Sequence, residues 1–154
     1  MISIRPATER DRTFILSLAD RLADFDRPAW RTAEEIAEGD RRALAGELDS
    51  PSDDNGLFIA LVDQQPAGCL LMWTLEDYFS GARHAHISVI AVTRETEGRG
   101  VGRALMAYAE QWARDRGHTR LTLSVFERNR RAQALYERAG FEVEMRRYAK
   151  ELSE

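Results

Sequence analysis

The stretch HISVIAVTRETEGRGVGRALMAYAEQW, residues 86–112, decides the fold. Its first seven residues are apolar and partly β-branched, the composition of a central strand. Further on, Val101, Leu105, Tyr108, Ala109 and Trp112 recur at helical intervals. Between these segments Gly98, Gly100 and Gly102 occupy alternate positions. Strand, glycine loop and helix in that order make an anion-binding turn. Small residues let the backbone approach a ligand, and the free N–H groups of the first helical turn point outward with the positive end of the helix dipole.

Spacing excludes two phosphate fingerprints. A dinucleotide loop GxGxxG starting at Gly98 needs glycine where Arg103 stands, and starting at Gly100 it needs glycine where Leu105 stands. A P-loop needs Gly-Lys followed by Ser or Thr, and the chain's single lysine is Lys150. A second segment, NRRAQALYERAGF (129–141), begins 27 residues beyond Gly102 and reads as a short helix. Each of its marks has a local explanation: Asn129 as an N-cap, Leu135 as core, Gly140 as a helix stop. Their joint occurrence after the strand-like RLTLSV (120–125) is more specific than any one of them.

Working outward, ISIR (2–5) alternates as a strand, and Thr8 with Asp11 has capping-box spacing before Phe14, Leu18, Leu22 and Phe25 at helical intervals. Thr32 to Leu48 reads as one helix, or two short ones parted at Gly39–Asp40. LFIALV (57–62) and AGCLLMWTL (67–75) read as an antiparallel hairpin with Pro66 near its turn, EDYFSGAR as a loop, and FEVEMRRYAKEL as strand-like segments. The sum is a single α/β domain over residues 1–154, with helices on the faces of a mixed sheet.

With these elements placed, the chain resembles the GNAT superfamily of acetyl-CoA-dependent N-acetyltransferases. The family's pyrophosphate loop runs Gln or Arg, two residues, Gly, any residue, then Gly or Ala. Glu97, Gly98, Arg99, Gly100, Val101 and Gly102 match it at every position but the first. Asn129, Ala132, Leu135, Tyr136, Gly140 and Phe141 match its second cofactor element, and the IRPAT opening and YAKEL ending extend the likeness over nearly the whole chain. The resemblance implies a mostly antiparallel sheet of six to seven strands with about four helices, splayed at the acetyl-CoA site.

It also implies transfer of the acetyl group of acetyl-CoA to a primary amine by direct attack in a ternary complex. Backbone groups of Ile90, Ala91 and Val92 would pair with the pantetheine arm. Amides from Gly98 to Arg103 would grip the pyrophosphate, with Glu97 at the first position of the binding loop and Arg99 and Arg103 adding charge beside the phosphates, and Asn129 would touch the cofactor near the pantetheine. Tyr136 would supply a proton to the departing thiolate. An alkyl amine with a pKa near ~10.4 is neutral in only about one molecule in a thousand at pH 7, so a base is needed. Family members often carry a glutamate near the start of the strand before the loop; here His86 and Ser88 hold those positions. His86 titrates in the useful range and is the candidate base, with Glu76, Asp77 and His84 as substitutes. Glu97 is expected to face solvent or pair with an arginine such as Arg99.

Composition limits the rest. At 154 residues with 44% apolar side chains the chain can bury a core. No run suits a membrane span or signal peptide, so a cytoplasmic protein is expected. The lone Cys69, in the apolar run CLLMW, offers neither a disulfide nor a metal site. Residues 1–93 hold 9 basic against 16 acidic side chains and residues 94–150 hold 13 against 8, so the second half suits a polyanion and the first a cation. Glu34, Glu35, Glu38, Asp40, Glu76 and Asp77 favour a cationic small-molecule or peptide acceptor, with Trp30, Trp73, Tyr78 and Phe79 near it or in the core. Nucleic acid is excluded as a partner by the net negative charge and by the absence of aromatics among the arginines at 128–131. A non-catalytic acetyl-CoA sensor is the rival reading, and oligomeric state stays open, a homodimer being one option.

Overall fold

The computed structural model describes residues 1–153. Its sheet is built by a meander in which β1 (Ile2–Pro6), β2 (Gly56–Val62), β3 (Gln65–Glu76) and β4 (Arg83–Val92) pair antiparallel in chain order, and β5 (Leu121–Leu123) adds parallel to β4. The β2–β3 turn is the two-residue kind: Asp63 and Gln64 both take positive φ, 49° and 69°, so the strands keep their twist. Pro66 sits just inside β3, opposite Leu61.

The N-terminal helical region is less regular than its apolar spacing suggests. A 3-10 turn (Glu9–Asp11), α1 (Arg12–Ser17) and a second 3-10 segment (Leu18–Ala23) follow one another. Arg5 donates two hydrogen bonds to Asp11, 2.8 and 3.0 Å, and Asp11 also accepts from the Thr8 amide, so β1 is tied to the helix start. The segment from 32 onward resolves to one helix, α2 (Ala33–Asp49). Thr32 and Glu35 close a capping box at its start, and Ala37, Leu44 and Glu47 are buried. These gains outweigh the cost of about 1 kcal/mol for Gly39 in the interior. After β4 come a 3-10 turn (Arg94–Thr96), α3 (Val101–Asp115), β5 and α4 (Arg130–Arg138).

The sheet has a core on each face. Phe58, Leu70, Met72, Ala85 and Ile87 pack against Val101, Leu105, Ala109 and Trp112 of α3. On the other face Leu57, Cys69, Leu71, Val89 and Ala91 pack against Ile15, Leu18 and Leu44 of the N-terminal helices. Burial pushes the Cys69 thiol up to about 12, which makes it a core residue and a poor nucleophile.

Two features of β4 matter for the site. Leu71 pairs with Val89 but Met72 with Ile87, so Ser88 is an extra, bulged residue. The bulge exchanges faces: Ala85 and Ile87 meet the α3 core, and beyond it Ile90 and Val92 do so while Val89 and Ala91 turn to the other side. Second, β5 pairs with β4 only through Ala85–Leu121, His86–Thr122 and Ile87–Leu123. From Ser88 to Val92 the side of β4 turned toward β5 has no strand beside it among the described residues.

The sheet therefore has five strands among the described residues, not the expected six to seven. The difference lies in FEVEMRRYAKEL: residues 141–153 form no helix or strand, and Val143, Met145, Tyr148 and Leu152 are exposed. Alternation marks a segment that fits a strand, but a strand exists only where an edge pairs with it, and that pairing is not encoded locally.

Candidate active site

The glycine loop leaves the end of β4 through Thr93, whose amide bonds the carbonyl of Ala67 at 2.8 Å, and Thr96, whose hydroxyl approaches the same carbonyl at 3.3 Å. Gly98 and Gly100 have φ of 78° and 88°, a region that other residues enter only with strain. Gly100 is the N-cap of α3, and the amides of Val101, Gly102 and Arg103 fall in the first turn, where a helix has no earlier carbonyl to offer them. A Cβ at Gly98 would meet nothing within 4 Å, so the outer face of the loop is open.

Glu97 points back across this loop rather than to solvent. Its carboxylate lies 3.3 Å from Arg21 and 2.5 Å from Arg131 of α4, and the expected partner Arg99 is not used. Arg99 lies instead near Asp63, whose carboxylate is held low first by the N-terminal amine and in small part by Arg99. Arg21 also approaches the carbonyl of Val92 at 3.5 Å, at the end of the open side of β4. A groove of about 360 Å³ lined by Asp20, Arg21, Asp24, Arg27 and Arg94 adjoins it. By strand rise Val92 is roughly 20 Å from His86, and Arg21 and Arg94 in the groove's lining put it at the loop end.

His86 stands at the vertex where β4 and β5 part, one residue before the last pair. Alternation turns it away from the α3 core. Its ring stacks on Trp73 of β3, centroids 6.4 Å apart and 24° from parallel, and its Nδ1 lies 2.8 Å from the hydroxyl of Thr122 on β5. Burial, and secondarily His84, hold its pKa below the ordinary imidazole value, so it is neutral at pH 7.

The substitutes are placed less well. The buried Nδ1 of His84 has no hydrogen-bond partner among the described residues. Asp77 accepts from the amide and hydroxyl of Ser80, which hold its carboxyl below the usual range and make it a weak base; Glu76 is exposed.

Tyr136 lies on α4, half-buried against the α3-side core and edge-on to Phe141 with centroids 6.1 Å apart. Burial raises its phenol, which stays protonated at neutral pH. Asn129 caps α4 through its Oδ1, which accepts from the Ala132 amide at 3.3 Å, leaving its amide NH₂ free of that role. No direct contact joins His86 to Tyr136.

Among the acidic candidates, Glu35 is spent on the α2 cap and Glu38 pairs with Arg41 at 2.6 Å. Asp40 is half-buried with its pKa raised by burial, and it has no ion-pair partner among the described residues. Of the aromatics only Trp73 reaches the site; Trp30, Tyr78 and Phe79 are exposed. Thr122, Arg21 and Arg131 were not legible as site residues. Nothing in RLTLSV marks Thr122 as facing a site, and long-range ion pairs leave no trace in spacing. Among the described residues no group of three or more His, Cys, Asp or Glu side chains is placed to hold a metal, and no helix is long and apolar enough to cross a membrane.

A strand with one side left open and a phosphate-type glycine loop at its end make a fold suited to hold a phosphorylated cosubstrate along the strand edge, as acyl-coenzyme A-dependent acyltransferases do. The model of the acetyltransferase (GNAT) family matches residues 15–141, and the chain belongs to that family, which uses acetyl-CoA. It is 36% identical over 142 residues to a mycothiol acetyltransferase of Salinispora tropica, an alignment covering 89% of this chain and 42% of that protein. The chain thus spans less than half the length of the curated relatives it matches. Among solved structures, a putative acetyl transferase from Pyrococcus furiosus superposes with a TM-score of 0.77 at 24% identity, covering 99% of this chain and 100% of that one. An aminoglycoside N-acetyltransferase in complex with CoA superposes with a TM-score of 0.71 at 19% identity, covering 99% and 95%.

Proposed function

We propose that the protein transfers the acetyl group of acetyl-CoA to a primary amine of a small molecule or peptide, by direct attack in a ternary complex. The observation that carries this reading is the open side of β4 between Ser88 and Val92, which runs from the glycine loop to His86. The residues present fit the cosubstrate: the amides of Gly98 and of Gly100 to Arg103 lie along an open loop, that of Arg99 being donated to the Thr96 carbonyl at 3.2 Å, and the backbone of Ile90, Ala91 and Val92 lies on a strand with one side unpaired. Arg99 and Arg103 would add positive charge beside the pyrophosphate, and Asn129 would touch the cofactor.

Acetyl-CoA supplies the activated thioester when bound. His86 Nε2 takes the proton that the amine sheds as its nitrogen bonds the acetyl carbon, and Tyr136 gives its phenolic proton to the sulfur as the carbon–sulfur bond breaks. Both groups have the required state at neutral pH, the imidazole neutral and the phenol protonated. The half-buried Asp40 and the acidic surface of α2 support a cationic acceptor. The names of the relatives, mycothiol and aminoglycoside acetyltransferases, support an amine carried on a sugar-containing small molecule.

The test is thiol release from acetyl-CoA across a panel of aminoglycosides, polyamines, the amine acceptors of mycothiol acetyltransferases and peptide N-termini. Turnover with at least one amine supports the reading; acetyl-CoA binding without thiol release across the panel favours a sensor on the same fold. His86→Ala is expected to lower kcat/KM at pH 7 by about a hundredfold, with the defect shrinking as pH approaches the acceptor's own pKa. In the unmodified enzyme the acidic limb of kcat/KM should fall below pH ~6.5, since the imidazole pKa is depressed. An unchanged pH profile in the variant removes His86 from the role.

A further inference from the structure

Thr122 faces His86 directly in the parallel β4–β5 register. Its hydroxyl lies 2.8 Å from His86 Nδ1 and 3.5 Å from the backbone carbonyl of Ala85. A hydroxyl owns one hydrogen, and a carbonyl only accepts. When Thr122 donates to Ala85, the face it turns to the imidazole is a lone pair, so Nδ1 must carry the ring proton and Nε2 is bare. We propose that Thr122 is a positioning residue that fixes His86 in the Nδ1-protonated form and reserves Nε2 for the acceptor amine. This rests on the reading of His86 as the base.

The rest of the surroundings agree with this division of labour. Trp73 holds the plane of the ring by stacking, which leaves the half-turn flip about the Cβ–Cγ bond to be set by an edge contact, and Thr122 supplies it. The flanking strands meet His86 with uncharged side chains, Trp73 from β3 and Thr122 from β5, and His84 on β4 is the titratable neighbour that bears on it. Asp77 and Arg120, 4.0 Å apart, lie beyond His84 at the hairpin end of the strand. When Nε2 takes the amine proton, Nδ1–H goes on donating to Thr122 and no hydrogen bond has to reverse. With the opposite orientation, Thr122 donating to Nδ1, the hydrogen would sit on Nε2 and that nitrogen could accept nothing. The balance closes when the imidazolium releases its proton to water and the Tyr136 phenolate regains one.

The experiment is nitrogen-15 spectroscopy of the imidazole in histidine-labelled protein, together with kinetics of Thr122→Val and Thr122→Ser. In the unmodified protein His86 is expected to show a protonated Nδ1 and a bare Nε2 at a pH of about 8. Thr122→Val, which keeps the shape and removes the hydroxyl, should mix the two tautomers. It should also lower kcat by about tenfold, leave both KM values within about twofold, and be rescued by Thr122→Ser. A proton on Nε2 in the unmodified protein, or an unaltered tautomer and kcat in Thr122→Val, overturns the proposal. The two readings fail separately. A fully active His86→Gln variant removes the base itself, whereas a slow His86→Gln beside an indifferent Thr122→Val removes only the part given to Thr122.

Discussion

Glu97 stands where the family loop carries Gln or Arg, and its surroundings explain how a carboxylate is tolerated there. It bridges Arg21, from the N-terminal helical region, and Arg131, from α4, so its charge is already compensated before any phosphate arrives. Arg131 is 80% exposed, so its pair is screened by solvent and contributes little to stability. Removing the charge leaves Arg131 without its anion and Arg21 with Asp24 alone, 3.4 Å away, so positive charge beside the loop is less compensated. Glu97→Gln is expected to tighten CoA binding by about two- to fivefold at low salt, with the gain fading at ionic strengths where the Debye length falls to a few ångströms, on the order of 1 M. Calorimetric titration at two salt concentrations measures it. A loss of affinity would mean that the carboxylate organises the loop through its arginines. The departure from the family pattern was plain in the sequence, but its partners were not, because both arginines lie far away along the chain.

At the scale of elements, β4 shows what alternation can and cannot deliver. Its apolar, β-branched composition identified a central strand before a glycine loop, and the structure has both. Simple period-2 reading would put Ala85, Ile87, Val89 and Ala91 on one face. The bulge at Ser88 divides them between the two cores, and it also sets His86 on the face away from α3 while Ile90 and Val92 lie against α3. A single serine in an apolar run is the only local trace of that. The hairpin and its turn were equally legible, since turn residues act through near neighbours, whereas the sequence alone did not decide between one second helix and two short ones. The ending after Phe141 was not, because strand pairing depends on an edge elsewhere. β3 offers a sharp test of the β4 geometry. A Cβ on Gly68 would come within 2.6 Å of the carbonyl of Ala91, from the β3 side of β4, and 3.2 Å of Leu105 of α3. Gly68→Ala is expected to cost about 1–3 kcal/mol by forcing the strands apart. Thermal melting should show a lower Tm, and CoA binding should weaken with it; an unchanged Tm would mean the two strands yield at no cost.

On the scale of the whole molecule, the acidic N-terminal half and the basic second half meet across the cleft between β4 and β5. The segment after the second 3-10 turn is bound to the β5–α4 connection: Phe25 and Phe126 pack with ring centroids 5.1 Å apart, Arg128 lies 3.7 Å from Asp26, and it approaches the carbonyl of Arg27 at 3.4 Å. The ion pair is exposed on both sides and weakly held, so the aromatic contact is the main tie. This bridge joins the elements that carry Arg21 to those that carry Asn129 and Tyr136, and under the function proposed above the acceptor enters beside it. The glycine loop and the Val92 end of β4 have further ties of their own, from Thr93 and Thr96 to the carbonyl of Ala67. Phe126→Ala should therefore raise KM for the amine by several-fold, in keeping with a loss of about 1 kcal/mol of aromatic packing, while KM for acetyl-CoA stays nearly constant. Steady-state kinetics with each substrate varied in turn, beside a melting curve, decides the matter. An equal rise in both KM values with a large drop in Tm would reduce the bridge to a general support of the fold. A selective rise for the amine would place the acceptor's path between the N-terminal helices and the β5–α4 connection.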